Sequence, residues 1–206
     1  MNCKGQDTRI RIVNEYYVEP IAHIRLISGK VIEGDAGKKI KNSYYIFECK
    51  HKTTGKEEVI QCGSGAAREI LTLIGKKPPK KFNPLEDDND AGDVDNYVDN
   101  DGNGLANNEW NPAAKQLYNA IMLLIVAWDA KAGTPLFKMK IEAEKYYKFE
   151  PYIYRIKPIN NILKRKGITI RNIIEKLSEE NNLREYHFNL LSDKLEQHGE
   201  ESFLGD

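Results

Sequence analysis

The chain is short of most of the features that would announce a chemistry. Three cysteines in 206 residues, an odd number, are too few for a secreted disulfide scaffold. The four histidines (His23, His51, His187 and His198) sit in unrelated contexts, so nothing supports Ser/His/Asp or Cys/His catalysis. The longest apolar run, Ala120–Trp128, has nine residues, well below the roughly 20 that a membrane span needs. Met1–Gln6 is polar and no apolar h-region succeeds it, so the expectation is a cytoplasmic chain without a signal peptide. No internal repeat is visible, and no residue pattern demands a cofactor.

One stretch lacks positive charge altogether. Between Glu86 and Asp101 stand eight carboxylates (Glu86, Asp87, Asp88, Asp90, Asp93, Asp95, Asp99, Asp101) and not one Lys or Arg. The formal charge of the whole chain is zero, so everything outside that stretch carries a net +8. A neutral total hides a basic body with an acidic strap, and such a body is suited to polyanions. The strap is poor in apolar residues and rich in Asp, Asn and Gly, so 83–110 reads as an acidic flexible linker. It separates a basic β-rich module over 1–82 from a helical module over 111–206. The expected fold class is α+β: a small antiparallel β module with one helix, the linker, then helices.

Within the first module, Ile10 and Ile12 alternate with Arg9 and Arg11 like a strand, and short runs at His23–Ser28 and Lys30–Glu33 flank Gly29. Tyr44–Lys52 and Glu57–Cys62 enclose Thr53-Thr54-Gly55-Lys56 and predict a hairpin. Period-two alternation puts Tyr45, Phe47 and Cys49 on one face with Ile60 and Cys62, and turns Glu48 and Lys50 the other way. A helix is expected over Ala66–Ile74, capped by Ser64 and stopped by Gly75. In the second module Asn111-Pro112 opens a helix whose middle, Met122–Val126, is apolar all round, so it is either buried on every side or docked on a protein partner. Leu136–Tyr147 reads as a helix, Tyr152–Ile156 as a short strand, and the rest as three helical segments.

Cations form two sets. Residues 38–81 hold eleven Lys/Arg against four Glu, including Lys38, Lys39, Lys41, Lys50, Lys52, Lys56, Lys76 and Lys77, interleaved with Tyr44, Tyr45 and Phe47. A sheet of that composition can stack bases and hold phosphates. Residues 155–176 hold seven Lys/Arg against one Glu, with Lys164, Arg165, Lys166 and Arg171 at the centre. Here Lys166-Gly167-Ile168-Thr169-Ile170-Arg171, with Ile173, Ile174 and Leu177 as a core face and Leu183–Leu195 as a third helix, resembles the helix-turn-helix of bacterial repressors. That resemblance implies DNA binding, with phosphates held by the first turns and a third helix in the major groove.

Three further patterns carry chemistry. Asp35 followed by Glu48-x-Lys50 on an apolar strand resembles the D…(D/E)xK motif of restriction-type nucleases. Its implied roles are Mg²⁺ binding by the two carboxylates and orientation of the attacking water by the lysine. Asp99-x-Asp101-x-Asn103-Gly104 matches the opening of a calcium loop, although position twelve is Trp110 and the acid, Glu109, comes one place early. Cys49, His51 and Cys62, with Cys3, offer zinc donors but no CxxC spacing, so no metal is expected. Residues alone point to a non-enzymatic nucleic-acid-binding or nucleoprotein-complex accessory protein of a bacterial or phage mobile-element or defence type. The alternatives are the Mg²⁺-dependent nuclease and a pure interaction subunit.

Overall fold

The computed structural model describes residues 1–85 and 110–205. Its elements give a mixed α+β architecture. The chain divides into two compact units, Met1–Pro84 with Trp128–Lys138, and Leu85–Ala127 with Met139–Asp206. No helix among the described residues is long and apolar enough to cross a membrane.

The first unit contains α1 (Gln6–Glu15), β1 (Tyr16–Arg25), β2 (Ile32–Glu33), β3 (Lys39–Ile40), β4 (Ser43–His51), β5 (Glu57–Cys62), α2 (Ser64–Ile74) and β6 (Lys81–Phe82). Its main sheet runs β5-β4-β1-β6, with β6 parallel to β1 and the other neighbours antiparallel. The hairpin has the expected register: Tyr45 faces Cys62 and Phe47 faces Ile60. Tyr45, Phe47, Cys49, Ile60 and Cys62 share one core with Ile12 of α1 and with Ala67, Ile70 and Leu71 of α2. Gly75 ends α2 in the left-handed conformation, φ 64°, where a side chain would strain the backbone. The N-cap is Gly63, and no side chain caps the helix.

Ser64 is thus the first helical residue and not the expected cap, and two further local expectations in this unit are corrected. Residues 9–14 are helical, not a strand, because Arg9 and Ile12 are buried three apart while Ile10 is left exposed. Three alternating residues were too short a pattern to set the period. The central strand begins at Tyr16, well before His23. Its early half is hidden in the sequence by Pro20, which the sheet accommodates at an irregularity in register between Pro20 and Ala22.

The second unit holds α3 (Pro112–Ala127), α5 (Ile153–Lys166), α6 (Ile170–Ser178) and α7 (Asn189–Gln197); α4 (Pro135–Lys145) starts in the first unit and ends here. Asn111 caps α3 by accepting the Ala113 and Ala114 N–H groups at 3.0 and 3.2 Å. Packing of α3 against α5, α6 and α7 forms the core. Met122, Leu123, Leu124, Ile125 and Val126 are all buried, so the apolar belt is core material and not the docking face that a partner would need.

The strand expected over Tyr152–Ile156 is also corrected: Tyr152 is the extended N-cap and Ile153–Ile156 form the first turn of a helix. Ile156, Ile159, Asn160 and Leu163 are buried at i, i+3, i+4 and i+7, and that longer period overrides the brief alternation of Tyr152, Tyr154 and Ile156. Asn160 is locked in place: its amide donates to Glu201 O and its carbonyl accepts from Phe203 N, both at 2.7 Å.

Candidate nucleic-acid interface

The lysines of the first unit do not gather into one patch. β4 is nine residues long, roughly 30 Å end to end. Lys38, Lys39 and Lys41 precede its first residue, whereas Lys50 and Lys52 lie at its far end and Lys56 enters the neighbouring strand. Several are already engaged. Lys56 pairs with Glu58, Lys76 pairs with Glu19, and Lys52 donates to Val13 O at 3.0 Å. Lys77 lies exposed beyond α2. Lys50, Lys52 and Lys76 line a cavity of about 700 Å³ together with Glu19, Glu48 and Glu57, so its charge is mixed. Tyr44, Tyr45 and Phe47 are buried and present no ring to a base.

Glu48 and Lys50 of the nuclease-like pattern share that cavity, but Asp35 is not among its lining residues. The Asp35 carboxylate accepts from Gln61 N at 2.7 Å and lies 3.7 Å from the Met1 amino group. The hairpin turn after the motif strand is also present, with His51 Nδ1 accepting from Thr53 N and Thr54 N at 3.2 Å. His51 is thereby committed to the turn, while Cys3, Cys49 and Cys62 sit together in the core. Burial pushes the Cys49 thiol up to about 12. A hydrogen bond between Cys3 and Cys62 holds Cys3 below the ordinary thiol range and Cys62 above it. Among the described residues no group of three His, Cys, Asp or Glu is arranged to hold a metal ion. The calcium-like stretch Asp99–Gly104 and the carboxylates of Glu86–Asp101 lie outside the described residues.

The second unit places Lys157, Lys164, Arg165 and Lys166 on one element, α5. Gly167, φ 63°, closes α5, and Thr169 opens α6 through a reciprocal cap. Thr169 Oγ1 accepts from Asn172 N at 3.2 Å, and Asn172 Oδ1 accepts from Thr169 N at 2.9 Å. On α5, Tyr154, Lys157, Asn161, Lys164 and Arg165 recur at i, i+3, i+7, i+10 and i+11. They form one helical face opposite the buried Ile156, Ile159 and Leu163. The fourteen residues of α5 carry that face over roughly 20 Å. Lys157 pairs with Glu200 and Lys164 with Glu201, while Arg165 makes no ion pair among the described residues. Arg171, at the start of α6, pairs with Glu175.

Beyond α6 the chain departs from the repressor pattern. The third helix starts at Asn189 instead of Leu183. Leu183 instead bridges to Leu85, and Arg184 Nε donates to Leu85 O at 2.8 Å. The exposed side of α7 offers Asp193 and Glu196, and its Lys194 is paired with Glu150.

An aromatic array lies at the start of α5, and reading the sequence as a strand concealed it. The Arg155 guanidinium lies 3.8 Å from the Tyr146 ring centre and 5.5 Å from that of Tyr154. Tyr154 stacks on Tyr152, centres 5.7 Å apart and planes 11° off parallel. Arg155 Nε is 3.0 Å from Glu142 Oε1, close enough for charge attraction although the N–H is not aimed at the oxygen. Phe149, Tyr152 and Tyr154 are 66%, 64% and 58% exposed, far more than such side chains usually are. The available signal was compositional: five of the ten residues in 146–155 are aromatic.

The class of protein these features define is a two-unit α+β protein with an exposed aromatic and basic helix face. The chain belongs to the family described as Uncharacterised conserved protein UCP028583, whose model matches residues 1–204. No curated protein and no solved structure matches the chain.

Proposed function

We propose that this is a non-enzymatic nucleic-acid-binding protein, or the nucleic-acid-gripping subunit of a nucleoprotein complex of the mobile-element or defence type. Its contact surface in this reading is α5 with the first turn of α6. The observation that carries it is the solvent face of α5, where Tyr154, Lys157, Asn161, Lys164 and Arg165 lie in one line. Cations in a line match phosphates in a line, and each phosphate neutralised adds a salt-sensitive increment to affinity.

The test is binding of the full chain to duplex and single-stranded DNA and RNA across a salt series, with Mg²⁺ present. Lys164→Glu with Arg165→Glu is expected to lower affinity about tenfold and to reduce the salt slope by about 2. Lys38→Glu with Lys39→Glu, in the other unit, is expected to change affinity less than about twofold. Equal losses from both pairs would move the interface off α5. No binding by the unaltered chain at low salt would end the proposal. Mg²⁺-dependent cleavage that disappears in Glu48→Ala would replace it with the nuclease reading.

A further inference from the structure

We infer that the ligand of this surface is single-stranded, and that Tyr152 and Tyr154 form a shelf on which unpaired bases stack. The inference rests on the nucleic-acid reading above and adds the strandedness of the ligand. Tyr146, the Arg155 guanidinium, Tyr154 and Tyr152 already form a stack, and the stack ends on a ring that is 64% exposed. The next member of such a series is another flat π-system. A base in a single strand offers one, whereas a base in a duplex has both faces covered by its neighbours.

Charge selects a nucleic acid over a protein as occupant. The centre of a protein-docking patch takes Tyr, Phe and Arg but is depleted of Lys. Here the rings are accompanied by lysines: Lys145 lies 5.3 Å from the Tyr146 ring centre and Lys148 lies 5.5 Å from that of Tyr147. Neither lysine has a carboxylate partner among the described residues. Rings with cations beside them suit a ligand that alternates flat bases with phosphates. The acidic character of the third helix points the same way, since α7 turns Asp193 and Glu196 outward where a duplex-reading helix needs donors for bases and phosphates.

The experiment compares three probes of equal length on the full chain: an oligothymidylate, an abasic oligonucleotide and a duplex. The unaltered chain is expected to prefer the oligothymidylate over the abasic strand by about tenfold. Tyr152→Ala with Tyr154→Ala should abolish that preference, and Tyr152→Phe with Tyr154→Phe, which keeps the rings, should retain it. Tyr152→Ala alone, which removes only the more exposed ring, supplies a second variant should the alanine pair not fold, and is expected to weaken the preference severalfold. Equal binding of all three probes, or a preference that survives in both the alanine pair and Tyr152→Ala, overturns the inference and leaves the nucleic-acid reading standing. Failure of the unaltered chain to bind any probe overturns both.

Discussion

Both units are well supplied with cations and use them in opposite ways. Cations in both units often stand beside a glutamate, but in the first they lie at both ends of a sheet, and the aromatic residues of the central hairpin are turned inward. In the second, cations follow one helix face and aromatic rings stand in solvent at its start. Composition is therefore a poor guide to a binding surface. What matters is the period at which the charges recur and the element that bears them.

The comparison can be broken first at the cores. Phe47 is fully buried beneath α1 and α2, so Phe47→Ala is expected to destabilise the first unit by about 3–5 kcal/mol. The chain carries its own reporters, since Trp128 belongs to the first unit and Trp110 to the second. Single-tryptophan variants followed through a urea titration should show the Trp128 transition move. A larger shift at Trp110 would mean that Phe47 does not act chiefly on its own unit.

Alkaline pH sharpens the contrast by a smaller amount. Burial raises the Cys49 thiol to about 12, and the bond with Cys3 raises Cys62 as well, against one thiol, Cys3, that is lowered. A group raised by folding contributes stability below its unfolded value and loses it as the pH climbs toward the folded value. From pH 9 toward 12 the first unit should therefore weaken, by up to about 1.4 kcal/mol per pH unit for each raised thiol. In the second unit the matching groups are Tyr118 and Tyr186, both raised by burial above the ordinary 10, so their loss begins about one pH unit later. Urea midpoints measured at Trp128 and Trp110 against pH test the order. A second unit that weakens first refutes it.

The smallest expected effect is at the cap of α6. Thr169→Ala removes the acceptor for Asn172 N and should cost about 1 kcal/mol. The loss is read at Trp110, and no shift at Trp128 is expected.

Much of the scaffold was legible wherever punctuation and period agreed. The Thr53–Lys56 turn, the inward set of Tyr45, Phe47 and Cys49, the Asn111 cap and the Thr169 cap are local patterns with local causes. Legibility failed where a pattern was interrupted or too short. Pro20 hid half of β1, and Ile10 with Ile12 imitated a strand. The aromatic stack was hidden for another reason: Tyr146 and Arg155 stand nine residues apart and meet only because the chain turns between α4 and α5. Whether lysines cluster is likewise decided by strand length and register, which composition does not carry.

Pro158 inside α5 has no amide hydrogen, so the carbonyl of Tyr154 loses the rung that an ordinary residue would supply four places along. The turn bearing Tyr152 and Tyr154 is thus fastened to the remainder of its helix by one clasp fewer than an unbroken turn would have. That turn leans instead on its side chains, with Tyr154 against Tyr152 and Arg155 against Tyr146.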